Sequence, residues 1–257
     1  MIEGQTQNGQ RSLQSIHIVL ILVVLPVALQ GGDMIGGLLG AGVYLLSKAV
    51  GNTFDHHAFI EVTMALGVLT RNGLLLMLSL WILRRAGLTL SRTLCVPPGW
   101  GWIWISVGSG LALGAAWSVA GLVLTPSDIW DVRLVTAIPW QWVVALSVIA
   151  RVLVGSFCEE IYFRGVLQPA LGRWHLPWLP IPLSATIFAG MHLDDLFEPS
   201  LAFILVVGLV SASLYKRYQT ALVPALFHLV VNLMMTLYFL RWLPFIASPE
   251  SKGIPWK

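Results

Sequence analysis

Eight apolar runs dominate the chain, over residues 16–30, 34–50, 58–83, 100–124, 138–158, 178–193, 200–215 and 221–243. A helix needs about 20 apolar residues to cross the hydrocarbon of a bilayer. Most of these runs reach or approach that length. Of the 257 residues only 11% are charged, 57% are apolar, and the mean hydropathy is +0.80. A water-soluble domain carries about 25% charged residues, so this chain cannot clothe itself in polar groups. Ordinary cytosolic enzymes, disordered proteins and disulfide-stapled secreted domains are excluded. The expected fold is all-α, a polytopic membrane helical bundle of about eight transmembrane helices, built as one integral membrane domain over residues 1–257. Its expected place is a prokaryotic inner or plasma membrane.

Seven spans are the alternative. The first two runs are short, and Gly31-Gly32-Asp33 separates them. They read as a tight hairpin of two helices, or as one span and a surface segment. The third run is interrupted by Arg71-Asn72-Gly73. The polar stretch Met1 to Arg11 followed by Ile16 to Leu29 imitates a signal peptide. It has no obvious small-x-small cleavage site, and more apolar sequence follows directly, so it reads as a retained membrane segment.

The formal charge of +3 does not point to nucleic acid. The basic residues lie singly or in pairs at the ends of apolar runs, where they act as topology signals. Arg84, Arg85 and Arg92 place their loop in the cytoplasm. Asp128 and Asp131, against Arg133, suit the outside. Arg164, Arg173 and His175 return to the cytoplasm, Asp194, Asp195 and Glu198 fall outside, and Lys216-Arg217 falls inside. Trp100, Trp102, Trp140, Trp174, Trp178 and Trp242 stand near run ends, as an interfacial belt would place them. Cys95 and Cys158 show neither a C-x-x-C nor a zinc-finger spacing, and no disulfide between them is expected.

The remaining signal lies in polar residues within apolar runs. A charge at mid-membrane costs roughly 2.5–3.5 kcal/mol on insertion scales and usually faces a bundle interior. In Cys158-Glu159-Glu160-Ile161-Tyr162-Phe163-Arg164, helical spacing puts Glu160 and Arg164 on one face, where they can pair. Glu159 is rotated about 100° away and is not neutralised by that pair. A carboxylate without a counter-ion in a low-dielectric site is suited to act as a general base. The alternative leaves both glutamates solvated at the cytoplasmic interface. A second run closes with Phe188-Ala189-Gly190-Met191-His192, and the last contains His228-Leu229-Val230-Val231-Asn232, which sets His228 and Asn232 on one helix face. A single membrane histidine is usually a packed, hydrogen-bonded residue. Glu, His, His and Asn on three helices together supply a base, a partner for it and two donors for an oxyanion, the inventory for adding water to an amide.

Polar residues of the N-terminal half read more plainly. Asp55-His56-His57 reads as a loop. His56-His57 lacks a third metal ligand at a supporting spacing, and Arg71 marks a helix break or an interface. There is no H-E-x-x-H, and Gly108-Ser109-Gly110 is not a G-x-S-x-G elbow.

Glu159-Glu160-x-x-x-Arg164, Phe188-x-x-x-His192 and His228-x-x-x-Asn232, in this order, resemble the CPBP family of CAAX-protease and bacteriocin-processing (Abi) intramembrane endopeptidases. The resemblance covers about residues 138–243, the motif-bearing half. It implies a helical bundle with an internal cavity and endopeptidase activity near a substrate's C-terminus. By position, Glu159 would activate water and His192 would help to hold and polarise it. His228 and Asn232 would stabilise the oxyanion, and Glu160, Arg164 and Phe188 would support the site. The resemblance implies a membrane-embedded or lipid-anchored protein or peptide as partner: a prenylated CAAX-like protein, a bacteriocin-type peptide or a C-terminal sorting signal. A glutamic mechanism needs no cofactor. In the family's older metalloprotease reading Glu159, His192 and His228 would hold zinc, but Asn232 suits an oxyanion donor better than a zinc ligand. Cys158 is compatible with a sorting-type member, although a packed small apolar residue is the preferred reading. The competing classes are a transporter relaying protons or ions through Glu159, Glu160 and Arg164, and a non-catalytic membrane scaffold. No internal repeat supports the first, and the intact polar set speaks against the second.

Overall fold

The computed structural model describes residues 18–51, 56–124, 148–172, 176–192 and 198–240, and these are helical with short turns between. Helix α1 spans Ile18–Ala49 and α2 spans His56–Arg85. One turn of helix, Leu90–Thr93, precedes α3, Gly101–Leu124. The fourth helical run, called α4 below, joins a π segment Ile149–Gly155, an α segment Ser156–Tyr162, a second π segment Phe163–Leu167 and an α turn Gln168–Leu171. Helices α5 (Pro180–Gly190), α6 (Glu198–Tyr218) and α7 (Leu222–Leu240) follow. Val62–Arg85, Gly101–Ala120 and Leu201–Tyr218 are long and apolar enough to cross a membrane, and Pro180–Gly190 and Leu222–Leu237 are shorter apolar helices. The described residues form an all-helical membrane bundle.

Neither expected break occurs. The runs 16–30 and 34–50 are one helix across Gly31-Gly32-Asp33 within the described residues, neither a hairpin of two helices nor a span followed by a separate surface segment. Helix α2 continues through Arg71-Asn72-Gly73 and begins at His56, so His56 and His57 belong to its first turn rather than to a loop. The reason is that glycine acts here through its missing side chain. A Cβ on Gly32, Gly36 or Gly40 would fall on the backbone of Arg71, the backbone of Gly67 or the side chain of Thr63. These three glycines, four residues apart, form one face of α1 that lets the antiparallel α2 approach to backbone contact, as small residues do between membrane helices. The other face carries exposed Met34, Leu38, Leu45 and Leu46, the apolar outward surface expected toward lipid. Replacing Gly36 by Leu is therefore expected to prise α1 from α2 and to destabilise the folded protein by about 1–3 kcal/mol, the usual cost of overpacking. Thermal unfolding in mild detergent measures this, and an unchanged midpoint would count against the close approach.

Helices α3 and α7 run parallel, joined by a hydrogen bond from Ser106 Oγ to the Val223 carbonyl at 3.1 Å. Gly110 and Gly114 admit Val230 and Met234 between them. The core is lined by Leu75, Ile82, Tyr162, Phe163, Phe188 and Phe227, all at most 1% exposed. Trp100 and Trp178 are exposed at helix starts as a belt requires, but Trp102 turns inward and is buried. Trp140, Trp174 and Trp242 lie outside the described residues, as do residues 1–17 and the topology markers Asp128, Asp131, Arg133, Arg173, His175, Asp194 and Asp195. Cys95 is exposed, Cys158 is buried, and both are free thiols.

Candidate active site

The expected run ending at residue 158 in fact continues as helix to Leu171, and this carries the glutamates into the bundle. Glu160 is fully buried and Glu159 is 6% exposed, so the solvated-interface alternative does not hold. Arg164 is also fully buried and is no loop marker of topology. Its guanidinium donates from Nε to Glu160 Oε2 at 2.9 Å, from Nη1 to Ser184 Oγ at 2.9 Å and from Nη2 to the Gly208 carbonyl at 3.1 Å. One side chain thus ties α4 to α5 and α6. Such a charge persists in a membrane bundle only because three acceptors replace its water.

Glu160 has a second partner on α7. His228 Nδ1 lies 3.1 Å from Glu160 Oε1. Since Arg164 holds the carboxylate ionised, the ring donates from Nδ1 and its orientation is fixed, with Nε2 on the other side. One turn further on, Asn232 donates from Nδ2 to Ser156 Oγ at 3.0 Å, which anchors the amide to α4. His192 follows the last turn of α5, where its Nδ1 donates back to the Phe188 carbonyl at 3.0 Å. A carbonyl can only accept, so this bond puts a proton on Nδ1, and in the neutral ring Nε2 is then the acceptor. Phe188 stands between the two histidines, its ring 5.1 Å from that of His192 and 5.5 Å, edge to face, from that of His228.

Glu159, Phe188, His192, His228 and Asn232 line a single cavity of about 560 Å³, large enough for a short stretch of extended peptide. Glu160 and Arg164 stand behind this wall, held in their own ion pair. The two π segments flank the α turn that bears the glutamates, and π insertions are common at functional sites. Among the described residues no three His, Cys, Asp or Glu side chains come together as a metal-ligand group, Glu159, His192 and His228 included.

Several residues of this arrangement were not singled out by sequence. Ser156, Ser184 and Gly208 matter only because of the helices that face them. Asp33 and Arg71, read as structural, line the cavity together with Arg151. The signal for Arg71 and Arg151 was present, as each is a charge within an apolar run.

A membrane helix bundle that gathers a carboxylate, two imidazoles and an amide around one cavity has the make-up of an intramembrane protease. Residues 139–234 match the family model described as type II CAAX prenyl endopeptidase, Rce1-like. No curated protein and no solved structure matches the chain.

Proposed function

We propose that the protein is a glutamic-type intramembrane endopeptidase that hydrolyses a peptide bond near the C-terminus or membrane anchor of a lipid-anchored or membrane-embedded protein. The observation that carries this reading is the convergence of Glu159, His192, His228 and Asn232 on one cavity within the bundle. Glu159, which Arg164 does not neutralise, takes a proton from water, and the His192 Nε2 lone pair helps to hold that water. The hydroxide oxygen bonds to the scissile carbonyl carbon, whose oxygen becomes an oxyanion. Asn232 Nδ2 keeps a second N–H for it beyond the one given to Ser156. His228 donates to it from Nε2 when its ring carries a proton on both nitrogens, the Nδ1 proton going to the Glu160 carboxylate. Glu159 then passes its proton to the amide nitrogen, the C–N bond breaks, and a new carboxyl and a new amine leave. No step requires a metal.

The relay and scaffold readings gain nothing from the geometry. A relay needs groups free to exchange protons or ions, whereas Arg164 is fixed by three acceptors. The test compares protein C-termini, membrane and secreted, between source cells with and without the protein. Uncut precursors are expected to accumulate in its absence, and they would name the substrate class among prenylated, bacteriocin-type and sorting-signal candidates. Identical termini in cells that express the protein would remove the protease reading and bring transport to the front.

A further inference from the structure

A second cavity lies where α4 and α6 end and α5 begins. It measures about 140 Å³, and Gln168, Pro177, Pro180, Tyr215, Lys216 and Gln219 line it. Gln168 stands nine residues after Glu159, about 13 Å along a helix axis, so hydrolysis makes no use of this cavity. Gln168 is 4% exposed, and its Nε2 donates to the Ala212 carbonyl at 2.9 Å. Because a carbonyl only accepts, that bond fixes which end of the amide is nitrogen. The Oε1 atom is buried and accepts no hydrogen bond. An empty buried acceptor is unfavourable, and one kept in the wall of a cavity has a place for a donor from outside.

The surroundings indicate which donor. Helix α4 ends within a turn of Gln168 and α6 ends at Tyr218, so the negative ends of two helix dipoles meet here and favour a cation. At the rim, the exposed Lys216 donates from Nζ to the Pro177 carbonyl at 3.2 Å and keeps two further N–H groups. Gln219 Nε2 holds the Lys216 carbonyl at 2.8 Å. An acceptor in the wall and a cation at the rim match a molecule with an ammonium at one end and a phosphate at the other. The position supplies the source. The Thr93 carbonyl accepts from Thr220 Oγ1 at 3.1 Å and from the Ala221 amide at 2.8 Å. The exposed Arg84, Arg85, Arg92, Lys216 and Arg217 therefore share one end of the bundle, and exposed Trp178 stands beside Pro177. Basic side chains and an outward tryptophan mark the headgroup level of a bilayer, where lipid phosphates are abundant.

We propose that this cavity binds a phospholipid headgroup with a primary ammonium next to its phosphate, the chemistry of phosphatidylethanolamine. The ammonium donates to Gln168 Oε1, and the phosphate lies against Lys216 Nζ. The lipid joins the ends of α4, α5 and α6, the same three helices that Arg164 ties deeper in the bundle. Phosphatidylcholine carries the same phosphate, but its quaternary nitrogen has no N–H to give. The site does not depend on the endopeptidase reading.

The test uses full-length protein in dodecyl maltoside, titrated with phosphatidylethanolamine or phosphatidylcholine of the same acyl chains. Native mass spectrometry reads the affinity for the first bound lipid. The wild type is expected to hold phosphatidylethanolamine about tenfold more tightly, the effect of one hydrogen bond from a charged donor. Gln168→Met should bring that ratio toward one, whereas Gln168→Glu, which keeps an acceptor oxygen, should retain it. Lys216→Gln should weaken both lipids and leave the ratio standing, since both carry the phosphate. The ratio is internal to each variant, so a partial loss of folded protein does not imitate the effect. A ratio of one in the wild type overturns the site, and the cavity then holds water only. A ratio unchanged in Gln168→Met also overturns it, because the selectivity then arises elsewhere on the surface. Undiminished affinity for both lipids in Lys216→Gln, an exposed change, removes the phosphate contact and the proposal with it. Tighter binding of phosphatidylglycerol than of phosphatidylethanolamine would show a preference for net negative charge and overturn the ammonium. Displacement of the lipid by free phosphoethanolamine at equal concentration would assign the cavity to a soluble ligand and overturn the lipid.

Discussion

Glu159→Gln protein, reconstituted in vesicles, is expected to cleave its substrate about 10²–10⁴-fold more slowly than the wild type, the usual contribution of a positioned general base. Its unfolding midpoint should stay the same. The two outcomes belong together because of where Glu159 sits. Its carboxylate lines the cavity and takes no part in the Arg164 ion pair. The amide that replaces it has almost the same shape but cannot take a proton from water. A variant that cleaved at the wild-type rate would remove Glu159 from the mechanism.

The adjacent glutamate should behave in the opposite way. Glu160→Gln leaves the Arg164 guanidinium without its counter-ion in a site with no exposure, and Arg164→Met leaves the Glu160 carboxylate with His228 alone. Breaking a buried pair by removing one partner costs about 3–5 kcal/mol, so both variants should show a large fall in unfolding midpoint and yield. Whatever folded Glu160→Gln protein remains should also lose activity, since the carboxylate orients His228. Thermal unfolding and turnover per folded molecule separate the two effects. A Glu160→Gln protein as stable as the wild type would show that the pair holds little of the bundle together.

The contrast between neighbours was legible in the sequence. A four-residue spacing pairs Glu160 with Arg164, and a 100° rotation keeps Glu159 out of that pair, before any tertiary contact is known. The link from Glu160 to His228 was not legible, because 68 residues separate them and only the packing of α7 on α4 brings them together. The supports Ser156, Ser184 and the Gly208 carbonyl are common groups in ordinary surroundings until a facing helix gives them a partner. Misreading Gly31-Gly32-Asp33 and Arg71-Asn72-Gly73 as breaks has one cause. Glycine and polar residues weaken a helix in water, but between membrane helices they buy close approach, and the helix must keep its hydrogen bonds because lipid offers none.

The sequence by itself determined the solvent, the helical class and the motif-bearing half, because hydrophobic run length and helical spacing are local properties of the chain. It also selected Glu159, Glu160, Arg164, His192, His228 and Asn232, since polar groups are expensive in lipid and stand out against it. The tertiary structure decided which glutamate is tied and to what, that the N-terminal α1 and α2 wall the same cavity, and that Arg71 and Arg151 lie on it. Those outcomes depend on which helix faces which, and that follows from packing between segments far apart in sequence, such as the glycine face of α1 against α2.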